Sequence, residues 1–425
     1  MPDLPKVRVV IYSPPTERYY SPNKEDLGPF LDDGPVLNAD GIQSSGLNDQ
    51  GDILKRLEYL INQIKKAETN LKDDPKVLRL FVAPEWFFRR KDRPYYLKEA
   101  TTMLDELLKE SLSPPLNSWM IVPGTILWGD KTGEKWTIYN VAPVVCDGKL
   151  LSLVHKDQEG SDIPEGENGN YNWGIYDVPI PPRSADNSPE ALEERKKKVH
   201  DMSVRVIKEL GKPLGDTDTQ GYFSCRNIQF GLCICADQNS PRLKKLVVEK
   251  TKQFIKKKLG IDLQNDIQIT SDPTPENKGK KKKKPKTTIP EKVELTPDLE
   301  NFLHFVYNAN MVHINLLVSC GAGFTPKNAS AKTGGFLIQS DGKIRNQSNN
   351  FCAQVKRNPK FEIDKYNFPI QPKCPTFPVL EKRVFPSGST DPLSRLFFYD
   401  ELLDFNPPTV SNSLQSTSAK ATQGS

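Results

Sequence analysis

Apolar positions along the chain fall into short blocks whose spacing alternates between that of a strand and that of a helix. Lys6 to Tyr12 (KVRVVIY) is a β-branched run closed by Ser-Pro-Pro and predicts a strand. Asp52 to Leu71 places Ile53, Leu54, Leu57, Leu60, Ile61 and Ile64 three or four residues apart, the pattern of an amphipathic helix. Val77 to Ala83 is a second apolar strand, Tyr95 to Leu112 a second amphipathic helix, and Trp119 to Trp128 a third strand. Ile138 to Val145 and Leu150 to Val154 flank Asp147-Gly148, a hairpin signal between apolar runs. Regular alternation of strand and helix predicts a layered α/β protein.

The pattern lapses over 176–220, where prolines, a highly charged helix-like stretch from Glu190 to Leu210 and a Gly/Asp/Thr segment predict a surface insertion. It resumes with the strand Ile228 to Ala236 and a helix from Ser240 to Leu259 whose apolar face is Leu243, Leu246, Val247 and Ile255. Asp266 to Thr270 reads as a short strand, Leu299 to Asn308 as a helix, and Met311 to Ser319 as a buried strand. Gly335 to Arg345 reads as a hairpin around Asp341-Gly342. A lysine tract at about 274–292 has nothing to bury and predicts disorder. These segments define one domain over 1–370, followed by a proline-rich segment and polar, disordered tail over 371–425. No internal repeat is present.

Composition refines this picture. An apolar fraction of 36% with 27% charged residues and 36 prolines describes a core diluted by polar insertions. The formal charge of +5 comes from one place: without the seven lysines between Lys278 and Lys286 it becomes −2. The body of the protein therefore lacks the basic footprint of a nucleic-acid binder. The longest apolar runs are too short to span a membrane, and the N-terminus has no leader pattern. Seven scattered cysteines suit a reduced, cytoplasmic protein better than a disulfide-stapled one.

Three places carry candidate chemistry, each just past an apolar strand, where open α/β sheets present functional groups. In Phe81 to Phe88 (FVAPEWFF), Glu85 follows a buried strand and is backed by aromatics, surroundings that make a carboxylate a better base. In Leu153 to Gly160, Lys156 ends a strand, where a lysine serves as an ion-pair partner, an oxyanion clamp or a Schiff-base amine, or is simply solvated. His155 alternates to the other face and reads as a core or surface histidine. In Phe230 to Leu243 (FGLCICADQNSPRL), a strand ends in cysteine before a helix, where unpaired backbone N–H groups favour a thiolate. Alternation points Cys233 and Cys235 to the same face, and strand physics alone leaves the choice between them open. A metal site is disfavoured, because no second Cys/His pair stands at zinc spacing. Glutamate, lysine and cysteine together make up the set needed for thiol acyl transfer.

These motifs resemble those of the nitrilase, or carbon–nitrogen hydrolase, superfamily. Val82-Ala83-Pro84-Glu85-Trp86-Phe87 matches its glutamate motif. Tyr139-Asn140-Val141-Ala142 with Asp147-Gly148-Lys149-Leu150 and His155-Lys156 matches its lysine motif. Gly231-Leu232-Cys233-Ile234-Cys235-Ala236-Asp237 with Pro241 matches its cysteine motif and selects Cys235. Val312 to Asn315 and Gly334 to Lys343 resemble later family segments, so the likeness runs from about residue 6 to 350. Three departures stand out: a long interval between Lys156 and Cys235, the lysine tract after the cysteine helix, and Gln238-Asn239-Ser240 where the family has aromatic and acidic residues.

The resemblance implies a four-layer α-β-β-α sandwich with surface insertions, assembled as a homo-oligomer, with neither cofactor nor metal. It implies Cys235 as nucleophile, Glu85 as general base and Lys156 as oxyanion stabiliser. Glu165, or its neighbour Glu167, would support the lysine, and the Ala236 backbone N–H would contact the oxyanion. The implied partner is a small-molecule amide or nitrile, with amide hydrolysis first and nitrile hydrolysis or N-acyl transfer as alternatives. A reading of another class is a non-catalytic interaction protein that uses the lysine tract on the same fold.

Overall fold

The computed structural model describes residues 4–14, 16, 49–71, 76–89, 94–132, 135–156, 176–177, 189–213, 217–235, 237, 242–260, 302, 305–307, 309–324, 330–342, 350–355, 362–363, 369–370, 383–384, 396–399 and 402–405. The expected strand at 266–270 and the lysine tract lie outside them.

Strand β1 (Val7–Tyr12), helix α1 (Asp49–Thr69), β2 (Leu78–Val82), β3 (Tyr95–Tyr96) and α2 (Leu97–Glu110) open the chain. They are followed by β4 (Trp119–Val122), β5 (Ile126–Thr132), β6 (Lys135–Cys146), β7 (Lys149–His155), β8 (Tyr176–Asp177) and α3 (Pro189–Glu209). Next come β9 (Tyr222–Cys225), β10 (Ile228–Ile234), α4 (Arg242–Leu259), β11 (Val312–Ser319), β12 (Ala331–Asp341) and β13 (Phe351–Gln354). Short strands β14 (Glu362–Ile363), β15 (Pro369–Ile370), β16 (Arg383–Val384) and β17 (Leu396–Phe398) follow.

The result is a mixed α/β fold built on two main sheets. The larger has the order β16-β17-β1-β2-β4-β6-β5-β3, with β7 and β8 also paired to β6. The smaller runs β13-β12-β11-β10-β9. Alternation along β1 explains the packing. Val7, Val9 and Ile11 join a buried cluster with Leu80, Val82, Phe230, Leu232, Ile234, Leu316 and Ile338, so this apolar layer is shared by both sheets. Val10 and Tyr12 face the other way, into a cluster with Ile53, Leu57, Leu60 and Ile64 of α1 and Leu104 and Leu107 of α2. Beyond the smaller sheet, Leu243 of α4 packs on Cys233 and Leu317. Among the described residues, no helix is long and apolar enough to cross a membrane.

Four details differ from the sequence reading. The expected strand from Trp119 to Trp128 is broken into β4 and β5 by Pro123, Gly124 and Thr125, with Gly124 at φ 90°. The expected late hairpin is replaced by a long β12, parallel to β11 and paired antiparallel with β13. The insertion's helix is partly core: Met202 and Val206 of α3 join the α1/α2 cluster. Finally, Leu396–Phe398 and Leu403, which fall in the expected proline-rich segment, pair with β1 of the larger sheet. Val10, Ile11 and Tyr12 pair with Phe398, Phe397 and Leu396, and Val7 and Leu403 exchange both backbone hydrogen bonds, at 3.1 and 2.8 Å.

Candidate active site

Glu85 leaves the end of β2 and is fully buried. The loop that carries it is tied down from several directions. Ala83 N donates to Val122 O, the Thr16 hydroxyl donates to Glu85 O at 2.6 Å, and Trp86 N donates to Thr125 Oγ1 at 2.8 Å. Trp86 takes a left-handed φ of 64°, which turns the chain sharply after Glu85. Gly124 makes room for this turn: a Cβ there would stand 2.2 Å from Pro84 O. Behind the loop, Arg56 donates to Phe87 O and pairs with Asp52, which also accepts from the Tyr95 hydroxyl.

The carboxylate itself accepts from Lys156, Asn140 and the Cys320 amide. Lys156 Nζ lies 2.8 Å and Asn140 Nδ2 2.9 Å from Oε1, while Cys320 N donates to Oε2 at 3.1 Å. Lys156 is held by the β6–β7 pairing, in which its N–H donates to Asn140 O. Both side chains of the ion pair have no solvent exposure. A buried pair of this kind persists only when the remaining hydrogen-bonding capacity of the ions is met, and Asn140 and the Cys320 amide supply it to the carboxylate.

Cys235 follows the last residue of β10. Ile234 pairs with Val318, so the thiol-bearing residue sits beside the end of β11, where Ser319 leads into Cys320. The amide of Cys320 reaches Glu85, and the Cys235 end of the smaller sheet and the Glu85 end of the larger one are thereby drawn together. Cys235 is 9% exposed and has φ 44°, an uncommon conformation for a residue with a side chain. That turn corrects the expectation that both cysteines share a face. Cys233 packs with Leu243 on the α4 side, whereas Cys235 joins the layer between the sheets. The left-handed residue ends the alternation and reverses the side chain.

Glu165, Glu167 and Ala236 lie outside the described residues. His155 is a core residue: its Nε2 is 2.9 Å from the Ser203 hydroxyl of α3, and its ring meets Trp128 and Tyr139 edge-on. Asn140 enters the sequence reading only as a motif residue. Its place as a lone amide in the apolar run from Ile138 to Ala142 is a signal of its role, because a buried amide needs partners. The Cys320 amide leaves no such signal, being a backbone group 235 residues from its acceptor. Among the described residues, no group of three or more His, Cys, Asp or Glu side chains could hold a metal ion.

With thiol, carboxylate and ammonium at adjoining strand ends, comparison with known proteins becomes informative. No family model matches the chain, and no curated protein does. Solved structures do resemble it, and two among them are as follows. One is Saccharomyces cerevisiae Nit3, a member of branch 10 of the nitrilase superfamily, at 11% identity over 94% of this chain and 90% of that one, TM-score 0.33. The other is a point mutant of the Nesterenkonia AN1 amidase from the nitrilase superfamily, at 10% identity over 87% of this chain and 89% of that one, TM-score 0.33. At such identities and TM-scores these likenesses add no weight, and the functional reading stands on the residues.

Proposed function

We propose that this protein is a thiol-dependent hydrolase of a non-peptide carbon–nitrogen bond, acting on amides through a cysteine acyl-enzyme. The observation that carries the reading is the fully buried Glu85–Lys156 pair whose carboxylate also accepts the amide of Cys320, at the strand end next to Cys235. Glu85 takes the Sγ proton as Cys235 attacks the carbonyl carbon. Negative charge gathers on the former carbonyl oxygen, where Lys156 and the N–H of Ala236 stabilise it. Collapse expels the amine or ammonia with the proton from Glu85 and leaves a thioester. Glu85 then deprotonates a water that attacks the thioester, and the acid departs as the thiol is restored. Glu165 is assigned to hold Lys156 in place. The architecture that goes with this reading is the four-layer α-β-β-α sandwich.

The test is intact-mass analysis and ammonia release for wild type and Cys235→Ala over a panel of simple amides and nitriles. An acyl adduct and ammonia from the wild type only are expected. Glu85→Gln should lose about 10²–10⁴-fold in turnover, and Lys156→Met at least about 10²-fold. Undiminished ammonia release by Cys235→Ala would remove the thiol from the chemistry. Acyl transfer to an added amine that outpaces hydrolysis would redefine the enzyme as an acyltransferase.

A further inference from the structure

Two cysteines outside the proposed catalytic set face each other between the sheets. Cys146 closes β6 and Cys225 closes β9, and both belong to the apolar layer that the two sheets share. Their sulfurs stand 3.3 Å apart, in hydrogen-bond contact, although the residues are 79 apart in the chain. Each is the last strand residue before a two-residue turn, since Cys146 pairs with Lys149 and Cys225 with Ile228. The turn residues all take positive φ, 50° and 68° at Asp147 and Gly148 and 47° and 66° at Arg226 and Asn227, as the tightest hairpins require.

The two hairpin tips are also joined next to the thiols. Arg226 lies 3.5 Å from Asp147, with side chains 30% and 47% exposed, so each cysteine adjoins a residue that solvent reaches. Cys225 itself is 7% exposed. Contact with Cys146, helped by the Arg226 charge, lowers the pKa of the Cys225 thiol from its ordinary value against the effect of burial. The same contact, with burial added, pushes that of Cys146 up. One sulfur is thus disposed to become the thiolate and the other to keep its proton, the division that disulfide formation uses. A buried thiol that serves only as a small apolar group needs neither a sulfur partner nor an arginine beside it.

We infer that Cys146 and Cys225 form a redox modification site, oxidised by hydrogen peroxide to a reversible disulfide that joins the two sheets. The Cys225 thiolate attacks one peroxide oxygen and the O–O bond breaks. The sulfur becomes a sulfenic acid, and the hydroxide that leaves takes up a proton to form water. Cys146 then attacks that sulfur, its proton goes to the departing hydroxide, and a second water is released. Two thiols and one peroxide give one disulfide and two waters, with two electrons passing from sulfur to oxygen. The sulfurs have about 1.3 Å to close from their 3.3 Å separation to reach bonding distance. β6 carries Asn140 and leads through β7 to Lys156, while β9 leads through β10 to Cys235. The bond therefore straps together the two hairpins that carry these groups, and it forms whether or not the hydrolase reading holds.

The experiment treats the full chain with a few equivalents of hydrogen peroxide, alkylates the remaining thiols under denaturing conditions, and maps the digest by mass spectrometry, with and without dithiothreitol after the peroxide. A peptide pair linked through Cys146 and Cys225 is expected, undone by dithiothreitol. It should form at least about tenfold faster in the folded chain than in the chain unfolded in urea, because the fold supplies the proximity. Oxidation should also raise the melting midpoint by about 5 °C, since the bond joins residues 79 apart. Cys235→Ala, which removes the proposed nucleophile's own oxidation, should show the same link. Cys146→Ser should leave Cys225 as a sulfenic acid, captured by dimedone, whereas Cys225→Ser should leave Cys146 unoxidised. The wild-type map needs no variant, so a variant that fails to fold does not remove the test. Both thiols still fully alkylated after peroxide, or a link that forms as fast in urea, would overturn the site.

Discussion

At the scale of single residues, the site depends on groups that do no chemistry. Gly124 is the clearest case, because its left-handed φ and the 2.2 Å gap to Pro84 O leave no place for a methyl group. Gly124→Ala should displace the loop that carries Glu85 and lower kcat by about 10²-fold, the cost of misplacing a catalytic group by about an ångström. A steady-state assay beside a melting curve checks this, and unchanged kcat would mean that the loop yields elsewhere. Glu85 and Lys156 could be singled out in the sequence because each stands at the end of an apolar run, whereas Cys235 was separated from Cys233 only by the motif resemblance. Thr16 could not, because its contact with Glu85 spans 69 residues, which no local pattern encodes.

At the scale of elements, periodicity located α1, α2, α4 and the inner strands to within a few residues, since each buries one face and the pattern reports that face directly. It failed where a single backbone conformation overrides the period. Gly124 splits one apolar run into β4 and β5, and the left-handed Cys235 moves its side chain out of the alternation of β10. It also failed for β17, a three-residue strand after a proline-rich stretch, too short to show a period. Leu403, 1% exposed and paired with Val7, anchors that segment. Leu403→Ala should therefore cost about 2–5 kcal/mol of stability, as for other buried leucines. Urea unfolding measures it, and a loss under about 0.5 kcal/mol, typical of a surface site, would show that the segment is dispensable.

At the scale of the whole molecule, the two sheets share one apolar layer, and His313 ties the smaller sheet to the C-terminal segment. Its Nδ1 accepts the Gln229 N–H at 3.0 Å and its ring meets Phe405 edge-on. Burial first, and Lys332 second, push its pKa down to about 4 from an ordinary 6.5. Folded His313 is then neutral across a range in which the unfolded chain binds a proton, so stability should fall as pH drops from about 6.5 to about 4. His313→Gln should flatten that part of the urea-midpoint profile, and equal acid losses in both proteins would reject His313 as the source. The pairing of Leu396–Phe398 and Leu403 with β1 has a further consequence, in time rather than in space. β1 leaves the ribosome before its outer neighbour exists, and that neighbour is made roughly 20–80 s later at ordinary rates of synthesis. Through that interval the nascent chain carries an unpaired apolar edge, the kind of surface that seeds aggregation and engages chaperones.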